Sequence, residues 1–184
     1  MTAYRYFTAT TLDGFIADEH DSLDWLLSQP TGPESILPYE DFIAAVGAVA
    51  MGATTYEWVL DHTCGEDHPD DVPWAHGQPT FVFTHRDLTP AAEHITLLSG
   101  SPEQHRRALE AAADGRDVWI VGGGDLAADF ARAGMLEEIF VSIAPVTLGA
   151  GRPLLGGRFD LDLREHGTNG ALLEARYAVL GERG

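Results

Sequence analysis

A triplet of glycines behind a short apolar run is the part of this sequence best suited to bind a ligand. The residues Val118–Val121 predict a strand. The turn behind this strand consists of Gly122, Gly123 and Gly124, and an amphipathic segment follows. Because glycine has no Cβ atom, a phosphate group or a ring can approach such a turn closely, and the N–H groups at a helix start favour anions. The alternative is an ordinary strand–turn–helix connection, in which glycine only allows the sharp turn.

The charged residues narrow the classes of function. All 11 basic residues are arginines, so the sequence offers no lysine for a Schiff base, a P-loop or a general base. Arginine remains as the permanent cation, and it can bind a phosphate through two parallel hydrogen bonds. With 29 acidic residues the formal net charge is −18, which argues against a basic surface for nucleic acid. We expect a small-molecule substrate and no nucleic-acid partner.

Histidines in the polar segment Asp61–Gln78 are candidate proton carriers, and their spacing also bears on a metal site. His62, His68 and His76 are spaced irregularly, which does not match a pair of ligands on one helix face. Cys64 is the only cysteine in the sequence, so an intrachain disulfide and a multi-cysteine zinc site are excluded. We therefore predict no metal site and interpret this segment as a solvated loop.

Apolar runs alternate with helical segments along most of the sequence, which predicts an α/β fold in one domain of 184 residues. The predicted strands are Tyr4–Thr11, Phe15–Ala17, Ala48–Met51, Thr80–Thr84, Ile95–Leu98, Val118–Val121, Glu138–Ile143 and Ala171–Leu180. The predicted helices are Tyr39–Val46, Thr54–Leu60, Leu126–Ala133 and one that begins at Ser101 and ends near Ala113. Strands dominate the end of the sequence, so we expect a mostly parallel sheet with an antiparallel C-terminal hairpin.

No run of apolar residues approaches the length that a membrane-spanning helix needs. The sequence begins almost directly with a strand pattern, and it shows no signal peptide. We therefore expect a cytoplasmic protein that does not contact a membrane.

Four segments at strand ends carry a family resemblance. They are Ala9–Ala17, Met51–Glu57, Val121–Gly124 and Ile143–Pro153. In this order and spacing the chain resembles the dihydrofolate reductase-like superfamily, and within it the branch related to the reductase domain of bacterial riboflavin biosynthesis. The resemblance implies a mixed, mostly parallel sheet of about eight strands flanked by helices, with NADPH bound at the carboxyl ends of the strands.

The resemblance also implies which residues contact the nicotinamide and the cofactor phosphates. Ala9 and Ile16 match the backbone contacts to the nicotinamide carboxamide. Gly52, Thr54 and Thr55 match the strand-to-helix turn that holds the phosphates. For Thr54, a plain helix N-cap remains the alternative interpretation.

Gly122, Gly123 and Gly124 match the family's second phosphate turn, where an unusual Gly-Gly peptide is common. Thr84 and Arg86 follow a predicted strand where the family commonly binds the 2′-phosphate of the adenosine. An ordinary exposed loop arginine is the alternative interpretation of Arg86.

Two positions depart from the family pattern. Ala53 stands where members usually carry a basic residue, so one phosphate contact is missing. Phe15 stands where the riboflavin-pathway reductases often have Lys or Arg, which argues against a phosphorylated ribose in the substrate. The zinc deaminase motif that usually accompanies those reductases is absent from this sequence.

The candidate catalytic and substrate-binding residues lie near the first predicted strand. Asp24 neighbours Trp25 in a segment that overhangs the active site in the family, and a carboxylate near a ring can have a raised pKa and donate a proton. Asp13 is a second candidate. Phe15 and Trp25 are candidates for an apolar substrate wall. The alternatives are that Asp24 caps a helix and that Asp13 satisfies only its turn.

We therefore predict an NADPH-dependent reductase that acts on a pterin, a pyrimidine or another small heterocycle. The alternative is a non-catalytic or flavin-binding module on the same fold. Relatives in this branch usually form homodimers, and the apolar strands Ile139–Ile143 and Ala171–Leu180 could supply the dimer face. The alternative is that the core of one subunit uses both strands fully.

Overall fold

Pairing of the apolar runs produces one eight-stranded sheet. The computed structural model describes residues 1–63 and 77–184. The described strands are β1 (Tyr4–Thr11), β2 (Phe15–Ala17), β3 (Val46–Gly52), β4 (Thr80–Phe83), β5 (Ile95–Leu98), β6 (Asp117–Gly122), β7 (Leu136–Ala144), β8 (Arg152–Pro153), β9 (Phe159–Asn169) and β10 (Leu172–Glu182).

The large sheet has the strand order β5-β4-β3-β6-β1-β7-β10-β9. Neighbouring strands from β5 to β7 are parallel, whereas β10 pairs antiparallel with both β7 and β9. The short strands β2 and β8 form a separate antiparallel pair. This architecture confirms the predicted α/β fold with its mostly parallel sheet and antiparallel C-terminal hairpin.

The predicted helices also form, with shifts of a few residues at their ends. The described helices are α1 (Asp24–Leu27), α2 (Tyr39–Ala44), α3 (Ala53–Thr63), α4 (Pro102–Ala113) and α5 (Gly124–Arg132). At the start of α4, the Ser101 N–H donates a hydrogen bond to Gln104 Oε1 at 3.2 Å, as the capping pattern predicts. Within the described part of the chain, no helix is long and apolar enough to cross a membrane.

Strand β9 is the longest of three elements that the sequence patterns did not identify, and the other two are α1 and β8. Its side chains are almost all exposed because it forms the edge of the sheet beyond β10. Leu161 and Leu163 alternate there with charged residues, and both remain partly exposed. An edge strand of this kind needs no apolar run, so its pairing partner rather than its composition makes it a strand.

The core lies on both faces of the large sheet. On one face, side chains such as Tyr6 and Ile120 pack with Phe130 of α5, and all three are fully buried. On the other face, Met51 packs with Tyr56 of α3 in a second buried cluster. Tyr56 also donates to the Thr89 carbonyl at 3.2 Å and accepts from the Ala91 N–H at 2.8 Å, so this residue belongs to the core.

Parallel pairing brings the ends of three strands to one edge of the sheet. Gly52 at the end of β3 lies opposite Phe83 at the end of β4. On its other side, Met51 lies opposite Gly122 at the end of β6. The connections that leave these strands therefore meet at the carboxyl edge, where open α/β sheets generally bind ligands.

Close packing of α4 on β3 depends on a glycine. A Cβ atom at Gly47 would overlap the backbone of Ala113 at the end of α4. Because both backbones are held in regular structure, Gly47→Ala is expected to lower the free energy of unfolding by about 1–3 kcal/mol. Urea denaturation followed by far-UV circular dichroism measures this change. Gly77→Ala is the control, because Gly77 is exposed and no atom of the described residues lies within 4 Å of a Cβ atom built there; equal stability of the two variants would contradict the prediction.

Candidate active site

A cavity of about 640 Å³ opens at the carboxyl edge of the sheet. The turns that follow β3, β4 and β6 form one part of its wall, and β2 and β8 contribute another part. Nine of the predicted site residues line it, namely Ile16, Gly52, Thr54, Thr55, Thr84, Arg86, Gly122, Gly123 and Gly124. The structure therefore brings together segments that are far apart in the sequence.

The glycine turn after β6 combines two different constraints. Gly123 precedes α5, and a Cβ atom built on it would meet no atom of the described residues within 4 Å. A Cβ atom on Gly124 would instead overlap the carbonyl oxygen of Pro153. The absence of a side chain is thus a packing requirement at Gly124, whereas Gly123 leaves the cavity open. The peptide bond between Gly122 and Gly123 is cis.

The turn after β3 lies directly against the glycine turn. A Cβ atom on Gly52 would lie 3.7 Å from the Gly123 nitrogen, and one on Gly122 would lie 3.3 Å from Thr55 Oγ1. Thr54 is exposed and lies inside the first turn of α3, which begins at Ala53. It is therefore not the residue that precedes the helix, as an N-cap would be.

Arg86 lies on the cavity wall, in the segment that follows β4, and forms an ion pair with Glu57. Its Nη1 atom lies 3.1 Å from Glu57 Oε1, and its Nη2 atom lies 2.8 Å from Glu57 Oε2. The Arg86 N–H donates to Thr84 Oγ1 at 2.9 Å, which holds the backbone of this turn. The guanidinium and the carboxylate thus form a bidentate pair at an exposed position.

A second arginine–carboxylate pair also lines the cavity. Arg152 of β8 contacts Asp21 through Nε at 2.6 Å and through Nη2 at 3.0 Å. These hydrogen bonds and the nearby negative charge raise the pKa of Arg152. Both residues line the cavity, but sequence analysis did not assign either to the site. Arg152 lies in the segment Ile143–Pro153, which carries part of the family resemblance. Its partner is 131 positions away in the sequence, so no local sequence pattern indicates this ion pair.

Asp13 anchors a neighbouring loop. Its carboxylate accepts hydrogen bonds from Thr11 Oγ1 at 2.6 Å, from the Gly149 N–H at 2.7 Å and from the Leu148 N–H at 3.1 Å. The hydrogen bond from Thr11 contributes most to lowering the pKa of Asp13, followed by the one from Gly149. A lowered pKa favours the ionised carboxylate, so these contacts suit a loop anchor. A proton-donor role for Asp13 stays a prediction without support from its contacts.

The remaining predicted site residues lie outside the cavity lining. Trp25 is buried in a small cluster with Ala144 and the half-buried Ala9. Asp24 is exposed at the start of α1, and Phe15 is half-buried in β2. The nicotinamide contact of Ala9, the proton transfer by Asp24 and the substrate contacts of Phe15 and Trp25 therefore stay predictions.

The described residues contain no group of three or more histidine, cysteine or acidic side chains that could hold a metal ion. His62 is described, and its Nδ1 atom lies 2.8 Å from the Trp58 carbonyl oxygen. Cys64, His68 and His76 lie outside the described residues, so the absence of a metal site stays a prediction.

The sheet and its cavity define an α/β fold of the dihydrofolate reductase-like class, which is a reductase-type fold. A family model for the RibD C-terminal domain matches residues 4–170. The chain therefore belongs to the RibD C-terminal domain family, which confirms the resemblance found in its sequence.

Individual relatives agree with this assignment. The chain is 32% identical over 148 residues to the uncharacterised protein YwjB of Bacillus subtilis (strain 168), with 80% of this chain and 79% of that one covered. A solved structure from Shewanella sp. PV-4, of a protein whose name refers to riboflavin biosynthesis, has a TM-score of 0.79 at 24% identity and covers 97% of this chain and 99% of that chain. The diaminohydroxyphosphoribosylaminopyrimidine deaminase/5-amino-6-(5-phosphoribosylamino)uracil reductase of Thermotoga maritima has a TM-score of 0.63 at 15% identity, with 97% and 56% covered. At these identities, the two solved structures show a shared fold.

The contacts of Asp13 lead to a test of loop anchoring. In Asp13→Ala, the amides of Leu148 and Gly149 lose their acceptor, so their hydrogen exchange should accelerate by about fivefold. Because the pKa of Asp13 lies below its ordinary value of 3.8, the anchoring in the wild type should be complete at higher pH and lost only as the pH falls through the lowered pKa. Exchange followed by mass spectrometry or NMR, corrected for intrinsic rates, measures both effects.

Asp18→Ala is the matched control for this test, because Asp18 accepts hydrogen bonds from the N–H groups of His20 and Ser22 instead. This control should leave the amides of Leu148 and Gly149 unchanged. Equal exchange at these amides in wild type and Asp13→Ala would contradict the anchoring role.

Proposed function

We propose that this protein is an NADPH-dependent reductase that transfers hydride to a small heterocyclic substrate such as a pterin or a pyrimidine. The observation that carries this proposal is the contact between two backbone turns, at Gly52 and at Gly122–Gly124, on one wall of a cavity of about 640 Å³. A cavity of this size lies within the range of small-molecule and cofactor sites. The family assignment supports a reductase-type fold, and the Thermotoga maritima relative is named as a reductase.

The two turns offer a site for the pyrophosphate of the cofactor. The helix α5 starts at Gly124 without a side-chain hydrogen bond at its N-cap residue, Gly123. The first turn of α3 presents Thr54 and Thr55 on the same wall. Backbone dipoles at helix starts act at short range, so they favour an anion locally even in a protein with a net charge of −18.

Arg152 and the residues around it on the cavity lining favour an uncharged substrate. Arg152 is held by Asp21, so its charge is already compensated. The neighbouring strand β2 adds Ile16 to the cavity lining. A phosphorylated ribose would bring its negative charge beside the Asp21 carboxylate, whereas a neutral ring could pack beside Ile16 and Leu23 without that repulsion.

Hydride transfer requires a positioned nicotinamide, exclusion of water and a source of protons. NADPH would supply the hydride when bound. Ile16 lines the cavity and would position the nicotinamide through its backbone. Asp24 is the proposed proton donor, since it directly follows Leu23, which lines the cavity, in the segment after β2.

We also propose a homodimer, in which the β9–β10 hairpin forms the interface. The dimer face that we predicted from the sequence has to exclude β7, because Ile139 and Val141 of this strand are buried within the subunit. In contrast, Leu161 and Leu163 of β9 are exposed by 40% and 49%, and Leu180 of β10 by 64%. A symmetric contact between two copies of this hairpin would cover both the leucines and the open edge of the sheet.

Sedimentation tests the dimer. The wild type should sediment with twice the subunit mass of 19.9 kDa at micromolar concentration. Leu163→Asp places a charge on the proposed interface and should sediment as a monomer, because an unpaired buried charge opposes association. Leu27→Asp, at a leucine that is exposed by 72% on α1, is the control and should stay dimeric. A monomeric wild type would refute the proposal.

Titration with NADPH, followed by nicotinamide fluorescence, tests the proposed function. The wild type should show saturable binding. Gly123→Val places a side chain in the cavity and should weaken binding by about a hundredfold or more, because charge-assisted hydrogen bonds worth about 1.5–3 kcal/mol each are lost. The backbone of Gly123 is extended, and no atom lies near a new Cβ atom, so the variant should remain folded.

Gly77→Val, at an exposed position outside the cavity lining, is the control and should bind like the wild type. Unchanged affinity in folded Gly123→Val would refute the phosphate placement. A wild type that binds no NADPH would refute the cofactor, and a yellow purified protein would then favour the flavin-binding alternative.

A further inference from the structure

Arg86, the described arginine that follows β4, already forms an ion pair with the acidic side chain of Glu57. Arg86 and Glu57 are joined by two contacts, of 3.1 Å and 2.8 Å, which use both carboxylate oxygens. Their side chains are 50% and 41% exposed. Exposed ion pairs contribute little to stability, so a ligand with a stronger hold on the guanidinium can displace Glu57.

The position of Glu57 makes it a competitor for any anion at Arg86. It lies on α3 one turn beyond Ala53 and reaches the cavity wall through its carboxylate. The other described arginine on the cavity lining, Arg152, is paired with Asp21. Among the described lining residues, Arg86 is thus the arginine that follows β4, and its charge is already compensated by Glu57.

Glu57 occupies one edge of the Arg86 guanidinium, through Nη1 and Nη2. The Arg86 backbone is held by its hydrogen bond to Thr84 Oγ1 at 2.9 Å. Since the planar guanidinium binds carboxylate and phosphate in the same bidentate manner, a phosphate that approaches the Nη1–Nη2 edge would compete with Glu57 for the same donor atoms.

We infer that Glu57 sets the preference of this protein for the 2′-phosphate of its cofactor, by competing with that phosphate for Arg86. The inference rests on the proposed function, because it needs a dinucleotide in the cavity. NADH has a hydroxyl in place of the 2′-phosphate and leaves the Arg86–Glu57 pair intact. The pair therefore lowers the affinity for NADPH and leaves the affinity for NADH unchanged.

Dissociation constants for NADPH and NADH, measured by fluorescence titration in wild type and Glu57→Gln, test this inference. Glutamine keeps the size of the side chain and removes its charge. The variant should bind NADPH about three- to tenfold more tightly, with NADH affinity unchanged within about twofold. Equal NADPH affinity in the two proteins would overturn the inference.

Glu110→Gln is the matched control. Glu110 pairs with Arg106 on α4 at 3.9 Å, and the two side chains are 42% and 40% exposed. This variant makes the same change in net charge outside the cavity lining, so it should bind both cofactors like the wild type. An equal gain in NADPH affinity here would assign the effect to net charge and overturn the inference.

The same titrations in Arg86→Ala and in the double variant show whether Glu57 acts through Arg86. Arg86→Ala should lose most of the preference for NADPH, and adding Glu57→Gln should then change nothing further. A gain of the same size in the Arg86→Ala background would mean direct repulsion by Glu57 and would overturn the competition.

A wild type that binds neither cofactor would refute the proposed function, and the inference with it. Binding of NADPH with no response to Glu57→Gln would refute the inference alone.

Discussion

The parallel pairing of β3 with β6 is the constraint on which the cavity depends. Both strands are central and largely buried, and their register places Met51 opposite Gly122. Two turns that are about seventy residues apart in the chain therefore begin at the same height on the sheet. If the register slipped by one residue, side chains would change faces, and the turns at Gly52 and Gly123 would no longer meet.

The charge distribution explains why backbone groups rather than side chains line the proposed phosphate site. Arginine is the only strong cation in the sequence, and both arginines described on the cavity lining are paired with acids. The same happens elsewhere, as where Arg5 contacts Asp117 and Glu138. In so acidic a protein an exposed guanidinium readily finds a carboxylate. Anion binding at the proposed site would then depend on N–H groups at helix starts, which acids can weaken but cannot neutralise.

Much of the fold could be predicted because its central strands bury both faces and read as apolar runs. Strand β9 could not be predicted in this way, because it is an exposed edge strand. Its pairing with β10 comes from the hairpin turn at Asn169 and Gly170. Contacts between buried polar side chains could not be predicted from the sequence either. The Glu174 carboxylate is buried and accepts from the Ser35 hydroxyl at 2.8 Å, a contact between residues 139 positions apart. Nothing in either local sequence indicates the other partner.

The sequence by itself determined the alternation of strands and helices, the family and the segments that form the cavity, because hydrophobic periodicity and turn chemistry are local properties. Only the tertiary structure decided what each residue does there. It showed that Gly124 packs under Pro153 while Gly123 faces open space, and that Arg86 is held by Glu57. The physical reason is that close approach and charge compensation depend on distances in space between residues far apart in the chain, which no local pattern records.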